Sequence, residues 1–444
     1  MGLFRQTLPI SEGNINNDND FPIKRFFIED SWMYGSFRTL AKPSMLWYNG
    51  STYSLWYKEK VNFNQVGILK QTDETLISSI VNDGTDGIEP INHPAPMLHI
   101  NKSTGYIYVL QNKFHVDEIR VWRSANPEDI SSFDYIGAFG QGCSYLGHLD
   151  GNDSDIVIQT RAGDVTEFYS MSIIKVNLDT LVYTQTVITN ADSVNSETRH
   201  YLLVPYQYGE SDKTFFGIAH RNQSLANGRQ GYYKFSLLVT DKGGDYEIFE
   251  NIDSSFSKDV VNTSILTNTE LDNNYVVLGD ELDRNTLISE GKLIALNDDV
   301  YIVYMNDENS GRYSVRKFTY GSSTTTDFLI PVTNIVVSPI YYSPVYMRYN
   351  GTNFVFTIWQ NDINGNPLTK IYACDTNFNN WTEFPLDLYS NSLQPSPGSG
   401  FFYGMPENLD LAVDSDERYL MIGKDSESTE GEFNFTVTKN KWTI

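Results

Sequence analysis

Short apolar and aromatic runs recur along the whole chain, and clusters of Asn, Gly, Asp and Ser separate them. Two examples of successive runs are Met97–Ile100 with Tyr106–Gln111, and Val345–Tyr349 with Asn353–Trp359. Runs of this length, rich in Tyr, Phe, Val, Ile and Thr, are typical of β-strands. No long stretch has the three- and four-residue apolar spacing of a helix. The pattern predicts an all-β protein.

A tight polar turn between two strands marks each repeat of this pattern. Polar turns of this kind between strands favour hairpins. Successive turns lie about 48 to 87 residues apart, near the ~40–50 residues of one propeller blade with its loops. The turns are Asn49-Gly50, Thr104-Gly105, Asn152-Asp153, Glu210-Ser211, Asn297-Asp298, Asn350-Gly351 and Ser415-Asp416. We therefore predict a β-propeller of seven four-stranded blades.

The same spacing divides the chain into segments. Residues 31–444 are expected to form one propeller, with an insertion near 251–290, where Asp, Asn, Ser and Thr are abundant. Residues 1–30 are polar and are interpreted as an N-terminal arm or a ring-closing segment. The apolar strand Phe433–Thr438 is expected to close the ring by pairing with an N-terminal strand.

Charge and composition narrow the class of ligand. The formal net charge is −24, and nucleic-acid binding needs a basic surface, so DNA and RNA are excluded as partners. No run reaches the ~18 apolar residues of a membrane span. Met1–Ile10 lacks the apolar core of a signal peptide, yet the expected location is secreted or extracellular, with association to a virion as an alternative.

Metal and cofactor chemistry has little support in the sequence. Cys143 and Cys374 are the two cysteines, and they lie too far apart for a zinc motif or a disulfide framework. Aspartates are abundant but lack the ligand spacing of a calcium loop. No cofactor is predicted, and a structural Ca²⁺ or Zn²⁺ is left open.

All six histidines fall within the predicted blades two to four: His93, His99, His115, His148, His200 and His220. In a propeller blade, the loop that enters the first strand and the loop that leaves the second strand open on the same face. One face is therefore expected to carry His93, His115, Tyr145, Arg161, Arg199, His200, His220 and Arg221, placed before first strands or after second strands. His99 and His148 fall inside first strands and are interpreted as structural.

Histidine, tyrosine and arginine together suit β-elimination from a uronic acid. A guanidinium stabilises the charge that builds up on the carboxylate when the neighbouring proton leaves. A histidine or tyrosine takes that proton, and a tyrosine returns one to the leaving oxygen, each step being worth ~10²–10⁴ in rate. The set lacks the pair of carboxylates that most glycoside hydrolases use.

Several segments resemble a known family. Ile91–Pro96, Gly105–Val109 with Phe114-His115, and Trp122–Phe133 are similar to the BNR-like propeller polysaccharide lyases, the ulvan lyases. Phe216–Arg221 and Tyr232–Phe235 resemble the ligand-lining segment of that family. The resemblance covers roughly residues 84–245. Pro94 stands where the family usually has Asn, and the family's zinc ligands have no counterpart.

The resemblance implies a seven-bladed propeller that cleaves uronate-containing polysaccharides, such as ulvan, by β-elimination. It implies His93 or His115 as base, Tyr145 as acid or as both acid and base, and Arg161 as the group that neutralises the carboxylate. Arg199, His200, His220 and Arg221 are then expected to bind the anionic polysaccharide substrate.

Two alternative functions remain open. The first is a non-catalytic glycan-binding propeller, an adhesin or a virion receptor binder. The second is a glycoside hydrolase of the sialidase or rhamnosidase type, for which Thr240–Tyr246 and Asp375–Trp381 give weak Asp-box-like traces. A rise in ultraviolet absorbance from an unsaturated uronate product distinguishes a lyase from both.

Overall fold

The computed structural model describes most of the strands of the chain. The described residues are 12–14, 23–28, 45–60, 63–71, 76–82, 96–112, 118–162, 170–189, 198–203, 205–222, 232–279, 287–307, 312–335, 345–349, 351–361, 363, 367–383, 388–389, 401–404, 407–408, 417–424 and 433–441.

Strands account for nearly all regular structure in the first half of the chain. They are β1 (Glu12–Asn14), β2 (Ile23–Ile28), β3 (Met45–Tyr48), β4 (Ser51–Lys60), β5 (Phe63–Gln71), β6 (Leu76–Asn82), β7 (Met97–Ile100), β8 (Ile107–Asn112), β9 (Ile119–Ser124), β10 (Phe133–Phe139), β11 (Cys143–Asp150), β12 (Asp155–Ala162), β13 (Ser170–Asn177), β14 (Tyr183–Thr189), β15 (Thr198–Leu203), β16 (Tyr206–Tyr208), β17 (Lys213–Asn222) and β18 (Tyr232–Asp241).

The second half adds two short helical turns to further strands. Its elements are β19 (Ile248–Glu250), β20 (Ser257–Asp259), the α-helical turn α1 (Asn268–Glu270), a π-helical turn (Leu271–Tyr275), β21 (Val276–Leu278), β22 (Leu287–Leu296), β23 (Asp299–Asp307), β24 (Arg312–Thr319), β25 (Thr325–Leu329), β26 (Val345–Tyr349), β27 (Phe354–Asn361), β28 (Pro367–Cys374), β29 (Thr382–Glu383), β30 (Leu388–Tyr389), β31 (Phe401–Gly404), β32 (Glu407–Asn408), β33 (Glu417–Lys424) and β34 (Phe433–Lys441).

The strands form mainly antiparallel sheets of neighbours in the chain. Within the described residues, β7–β10 and β11–β14 are four-stranded sheets, and β26–β30 form a five-stranded one. Strands β3–β6 form another sheet with the short β32 at its edge. The meanders β15–β18 and β22–β25 join into one larger sheet, in which β16 pairs with β22 in parallel. The all-β prediction is confirmed, whereas the seven-bladed ring stays a prediction.

The two ends of the chain meet in one sheet. Strand β2, from the predicted N-terminal arm, pairs with β34 in antiparallel register from Ile23↔Thr438 to Ile28↔Phe433. Strand β34 also pairs with β33 on its other side. The predicted pairing of Phe433–Thr438 with an N-terminal strand is therefore confirmed.

The predicted turns coincide with the observed hairpins. Asn49-Gly50 joins β3 to β4 with φ angles of 45° and 74°, and the type I′ turn needs a positive φ at both central residues. Asn297-Asp298 likewise joins β22 to β23. Thr104-Gly105 and Asn152-Asp153 also fall between paired strands, and Gly351 lies between β26 and β27. Glu210-Ser211 instead follows β16, which pairs with β22 rather than with β17. Asn350 and Ser415-Asp416 lie outside the described residues.

Burial falls from the inner strands of a sheet to its outer strand. Every residue of β8 is buried, because the sheet that contains it is covered on both faces there. The outer strands β10, β14 and β25 are largely exposed. One apolar core packs β3–β5 against β7–β9, and another packs β22–β24 against β26–β28. These cores explain why central strands read as continuous apolar runs.

The predicted insertion contains ordered structure over residues 251–279, here named the insertion segment. Its Leu266 N–H donates to the carbonyl of Ile188 at 2.7 Å. The Tyr275 hydroxyl donates to the carbonyl of Phe249 at 2.8 Å. Leu271 and Tyr275 are fully buried, so the segment packs on the sheets rather than extending into solvent. Residues 280–286 lie outside the described part.

The chain divides into two compact units. One comprises residues 1–114, 119–138 and 393–444, and the other comprises residues 115–118 and 139–392. The second unit contains Tyr145, Arg161, Arg199, His200, His220 and Arg221. No helix among the described residues is long and apolar enough to cross a membrane.

Candidate functional site

Tyr145 and Arg161 lie near each other on the paired strands β11 and β12, one register position apart. Ser144 is in register with Arg161 and Leu146 with Thr160, so Tyr145 is the extra residue of a β-bulge. Bulges re-aim a strand locally and are common beside active sites. The register therefore brings together the two residues that the sequence assigned to acid catalysis and carboxylate neutralisation.

The predicted strand ends in this sheet need a correction. Tyr145 was expected to open a first strand and Arg161 to follow a second one. Strand β11 instead begins at Cys143 and β12 continues to Ala162, because the ladder of backbone hydrogen bonds extends past the polar residues. Arg161 is only 2% exposed.

A side-chain hydrogen bond connects strand β12 to the next sheet along the chain. The side-chain amide of Gln159 donates to the carbonyl of Gly217 in β17 at 3.0 Å. Cys143, at the start of β11, is buried, and burial raises the pKa of its thiol to about 12. It is therefore a packed thiol rather than a nucleophile.

His200 and His220 form a buried pair. They are directly opposite each other on β15 and β17, and their ring centroids lie 4.8 Å apart in an edge-on arrangement. They were expected in loops, before and after strands. Both lie within strands, with 0% and 1% exposure, because β15 begins at Thr198 and β17 ends at Asn222.

The next pair along these strands consists of Arg199 and Arg221. Their backbones are in register on β15 and β17, so both also lie within strands rather than in the predicted loops. A bulge in the pairing of β17 with β18 falls between His220 and Arg221.

Hydroxyl groups hold both imidazole rings. The Thr189 hydroxyl contacts Nδ1 of His200 at 3.2 Å, and the Ser236 hydroxyl contacts Nε2 of His220 at 2.8 Å. A hydroxyl can donate or accept, so these contacts suit the neutral rings in either tautomer. Asn268, from α1, lies beside His200, but its Oδ1 and the Nε2 of His200 are not aligned as a standard hydrogen bond.

Burial keeps both rings neutral. It lowers the pKa of His200 to about 4, with Asn268 opposing the change and the positive charge of Lys234 adding to it. Burial, the neighbouring ring of His200 and the charge of Lys234 hold the pKa of His220 well below its ordinary value. At neutral pH the pair therefore offers hydrogen-bonding groups without positive charge.

Lys234 is the charged residue next to this pair. It is in register with His220 across β17 and β18, and its ammonium donates to Asp272 Oδ1 at 2.8 Å. The lysine side chain is 7% exposed and the aspartate 38%. The sequence analysis included Lys234 only as part of a ligand-lining segment. It missed four further residues around the pair, which belong to no motif: Thr189, Ser236, Asn268 and Asp272.

His93 and His115 lie outside the described residues. The strands that flank them are described: β7 begins at Met97, β8 ends at Asn112, and Met97 pairs with Leu110. Their place before a first strand and after a second strand stays a prediction.

The two histidines interpreted as structural are packed inside strands. His99 is buried in β7. The Nε2 of His148 in β11 contacts the carbonyl of Gly151 at 2.7 Å, and burial lowers the pKa of this ring. Their positions confirm the prediction that both lie inside first strands.

Metal ligands do not converge in the described part of the chain. No group of three or more His, Cys, Asp and Glu side chains there could hold an ion. Cys143 and Cys374 are free and buried. No metal is therefore assigned to the site.

Comparison with known proteins gives matches in structure. No protein-family model matches the chain, and no curated protein matches its sequence. The structure of an ulvan lyase of polysaccharide lyase family 25, bound to -[GlcA(1-4)Rha3S]-, matches with a TM-score of 0.65 and 12% identity, and covers 93% of this chain and 95% of that one. A second structure of a family 25 ulvan lyase matches over the same shares with a TM-score of 0.64.

The polysaccharide lyase Uly1 is also similar. Its TM-score is 0.56 at 10% identity, with 97% of this chain and all of that chain covered. At such low identity these matches establish similarity of fold. The resemblance first noted over residues 84–245 is confirmed for the fold and extends over most of the chain: this protein has a fold like that of the ulvan lyases.

Proposed function

We propose that the protein is a polysaccharide lyase that cleaves a uronic-acid-containing glycan, of the ulvan kind, by β-elimination. The observation that carries the proposal is the β-bulge that sets the backbone of Tyr145 next to the Ser144–Arg161 register pair. In a fold like that of the ulvan lyases, Tyr145 and Arg161 supply an acid and a carboxylate partner. His200 and His220, which pair across β15 and β17 in the neighbouring sheet, add two imidazoles to the same group of functional side chains.

In the proposed reaction, each residue acts on a different atom or group of the substrate. His93 or His115 takes the proton from the carbon next to the uronate carboxylate. Arg161 pairs with that carboxylate and stabilises its growing negative charge. The electron pair forms a carbon–carbon double bond as the bond to the glycosidic oxygen breaks, and Tyr145 gives a proton to that oxygen. The products are an unsaturated uronate and a free hydroxyl.

The proposal extends to the architecture of the protein and to the class of ligand that it binds. The hairpins at regular spacing and the pairing of β2 with β34 support a closed seven-bladed propeller for residues 31–444. One neighbour in fold is bound to -[GlcA(1-4)Rha3S]-, which supports an anionic glycan as substrate. Arg161, Arg199 and Arg221 supply local positive charge within a chain of net charge −24. A polymeric substrate places the protein outside the cell, and the neighbours give no support to a virion.

The test is ultraviolet absorbance of the unsaturated uronate, measured with purified protein and a panel that includes ulvan, gum arabic and glucuronorhamnans. We expect a rise with at least one uronate polymer. Tyr145→Phe removes the proton donor and should slow turnover by ~10²–10⁴, with circular dichroism unchanged. Full activity in that variant would remove the assignment of Tyr145. A flat trace with glycan binding retained would favour the non-catalytic alternative, and reducing sugar without absorbance would favour a hydrolase.

A further inference from the structure

The insertion segment reaches the histidine pair through two polar residues. Asp272, in the π-helical turn, accepts a hydrogen bond from the Lys234 ammonium at 2.8 Å. Asn268, in α1, lies beside His200. The segment is itself fixed to the sheets, since Leu271 and Tyr275 are fully buried. It therefore presents these two side chains from a rigid base.

Lys234 already has an anionic partner within the protein. Its side chain is 7% exposed, and its ammonium is already held by a carboxylate. A charged group in this position acts on its neighbours through its field rather than by touching a substrate. Besides Asp272, its field acts on the two imidazoles, one of which is in register with it across β17 and β18.

We propose that Lys234 is a positioning residue, held by Asp272 of the insertion segment, that acts together with burial to keep the His200–His220 pair uncharged and fixed beside the candidate site. The proposal deepens the proposed function, because it makes the insertion segment part of the same site. A neutral pair can pack edge to edge in the interior, whereas two imidazolium ions at a centroid distance of 4.8 Å would repel each other.

The groups around the pair come from several elements. Thr189 of β14 and Ser236 of β18 contact the rings through hydroxyls. Asn268 approaches from the insertion segment. Lys234 is the charged group whose field acts on both rings, and Asp272 partly offsets that field. Strand β12, with Arg161, packs against β15.

The experiment follows the histidine titrations in the full chain by ¹H–¹⁵N NMR of the imidazoles, without substrate. Lys234→Met removes the positive charge, so both rings should titrate at higher pH than in the wild type. Asp272→Asn removes the offsetting negative charge, so they should titrate at lower pH. Lys234→Arg keeps the charge and should retain the wild-type titration.

Lys258 offers a matched control in the same segment. It makes a similar ion pair with Glu270, at 2.6 Å and with 10% exposure of the lysine, but Glu270 belongs to the capping box of α1 rather than to the histidine pair. Lys258→Met should lower the melting temperature and leave the histidine titrations unchanged. Equal titration shifts in Lys258→Met and Lys234→Met, or no shift in Lys234→Met and Asp272→Asn, would overturn the proposal.

Activity provides the second readout. Misplacement of a binding group costs up to ~10² in rate, so Lys234→Met should lose about ten- to a hundred-fold in kcat and gain an altered pH profile, with Lys234→Arg rescuing both. If no uronate polymer is cleaved by the wild type, the lyase assignment fails and the NMR result still decides the role of Lys234. If turnover is lost without any titration shift, the positioning role fails and the lyase assignment stands.

Discussion

The Tyr145–Arg161 and His200–His220 pairs occupy comparable places in neighbouring sheets, yet they are built differently. Each pair lies across the first hairpin of its sheet, near the same end of the strands. In the first pair, a β-bulge leaves Tyr145 without a partner in the backbone register of β11 with β12. The second is in regular register, with both rings buried against each other. The difference shows that a bulge can shift the backbone register beside a buried arginine, while the neighbouring sheet keeps a regular ladder around its buried histidines.

The largest effect that would sharpen this comparison is expected at Arg161. A guanidinium can bind a carboxylate with two parallel hydrogen bonds, which lysine cannot. Arg161→Met should therefore reduce kcat/KM on uronate polymers by ~10²–10³, and Arg161→Lys should recover only part of the loss. Initial rates of absorbance increase measure both. Wild-type activity of Arg161→Met on uronate polymers would contradict the carboxylate role.

Acid stability should distinguish the regular pair from the bulged one. The pKa of His200 is about 4 in the folded protein, against an ordinary value of 6.5. Between these values the unfolded chain binds a proton that the folded protein does not, so the free energy of unfolding falls as pH falls from about 6.5 to about 4. This one ring accounts for a loss of about 3 kcal/mol across that window.

Chemical denaturation at pH 7 and pH 5 measures the part of that loss that falls above pH 5, about 2 kcal/mol. His200→Gln removes the titrating ring and should give a shallower dependence of stability on pH. Arg161→Met is the matched control from the bulged pair, and it should retain the wild-type dependence. The same slope in His200→Gln and the wild type would refute the assignment of this acid sensitivity to His200.

The smallest effect is expected at the hydroxyl that supports His220. Ser236→Ala removes the contact to Nε2 at 2.8 Å and leaves a buried nitrogen without it, at a cost of about 1 kcal/mol in unfolding free energy. Ser172→Ala in β13 is the control, because its buried hydroxyl has no hydrogen-bond partner in the described residues. The control should be as stable as the wild type or slightly more stable, and equal destabilisation of the two variants would contradict a role for the contact.

Local chemistry made the hairpins predictable. Asn49-Gly50 and Asn297-Asp298 lie between apolar strands, and Asn and Gly adopt the positive φ that these turns need. The terminal pairing of Phe433–Thr438 also followed from an apolar strand without a partner near the end of the chain. These features depend on neighbours in sequence or on simple counting of strands.

The candidate site was only partly predictable. The residue types of Tyr145 and Arg161 suggested their chemistry, but the bulge between them depends on the register of the partner strand, which one sequence does not specify. Arg161 and His220 were placed in loops because polar residues at a strand end look like a turn. Asp272 was missed because its contact with Lys234 spans 38 residues, and an aspartate in a polar segment carries no distinguishing pattern.

The pairing of β2 with β34 also bears on how the chain is made. About 400 residues separate the two strands, and ribosomes add ~5–20 residues per second. Strand β2 therefore leaves the ribosome roughly 20 to 80 s before its partner exists. During that interval it presents an open edge, which another nascent chain can pair with. This sheet is completed only after β34 has been synthesised, so chaperone protection of the first strands should matter more for the yield of this protein than the stability of its finished cores.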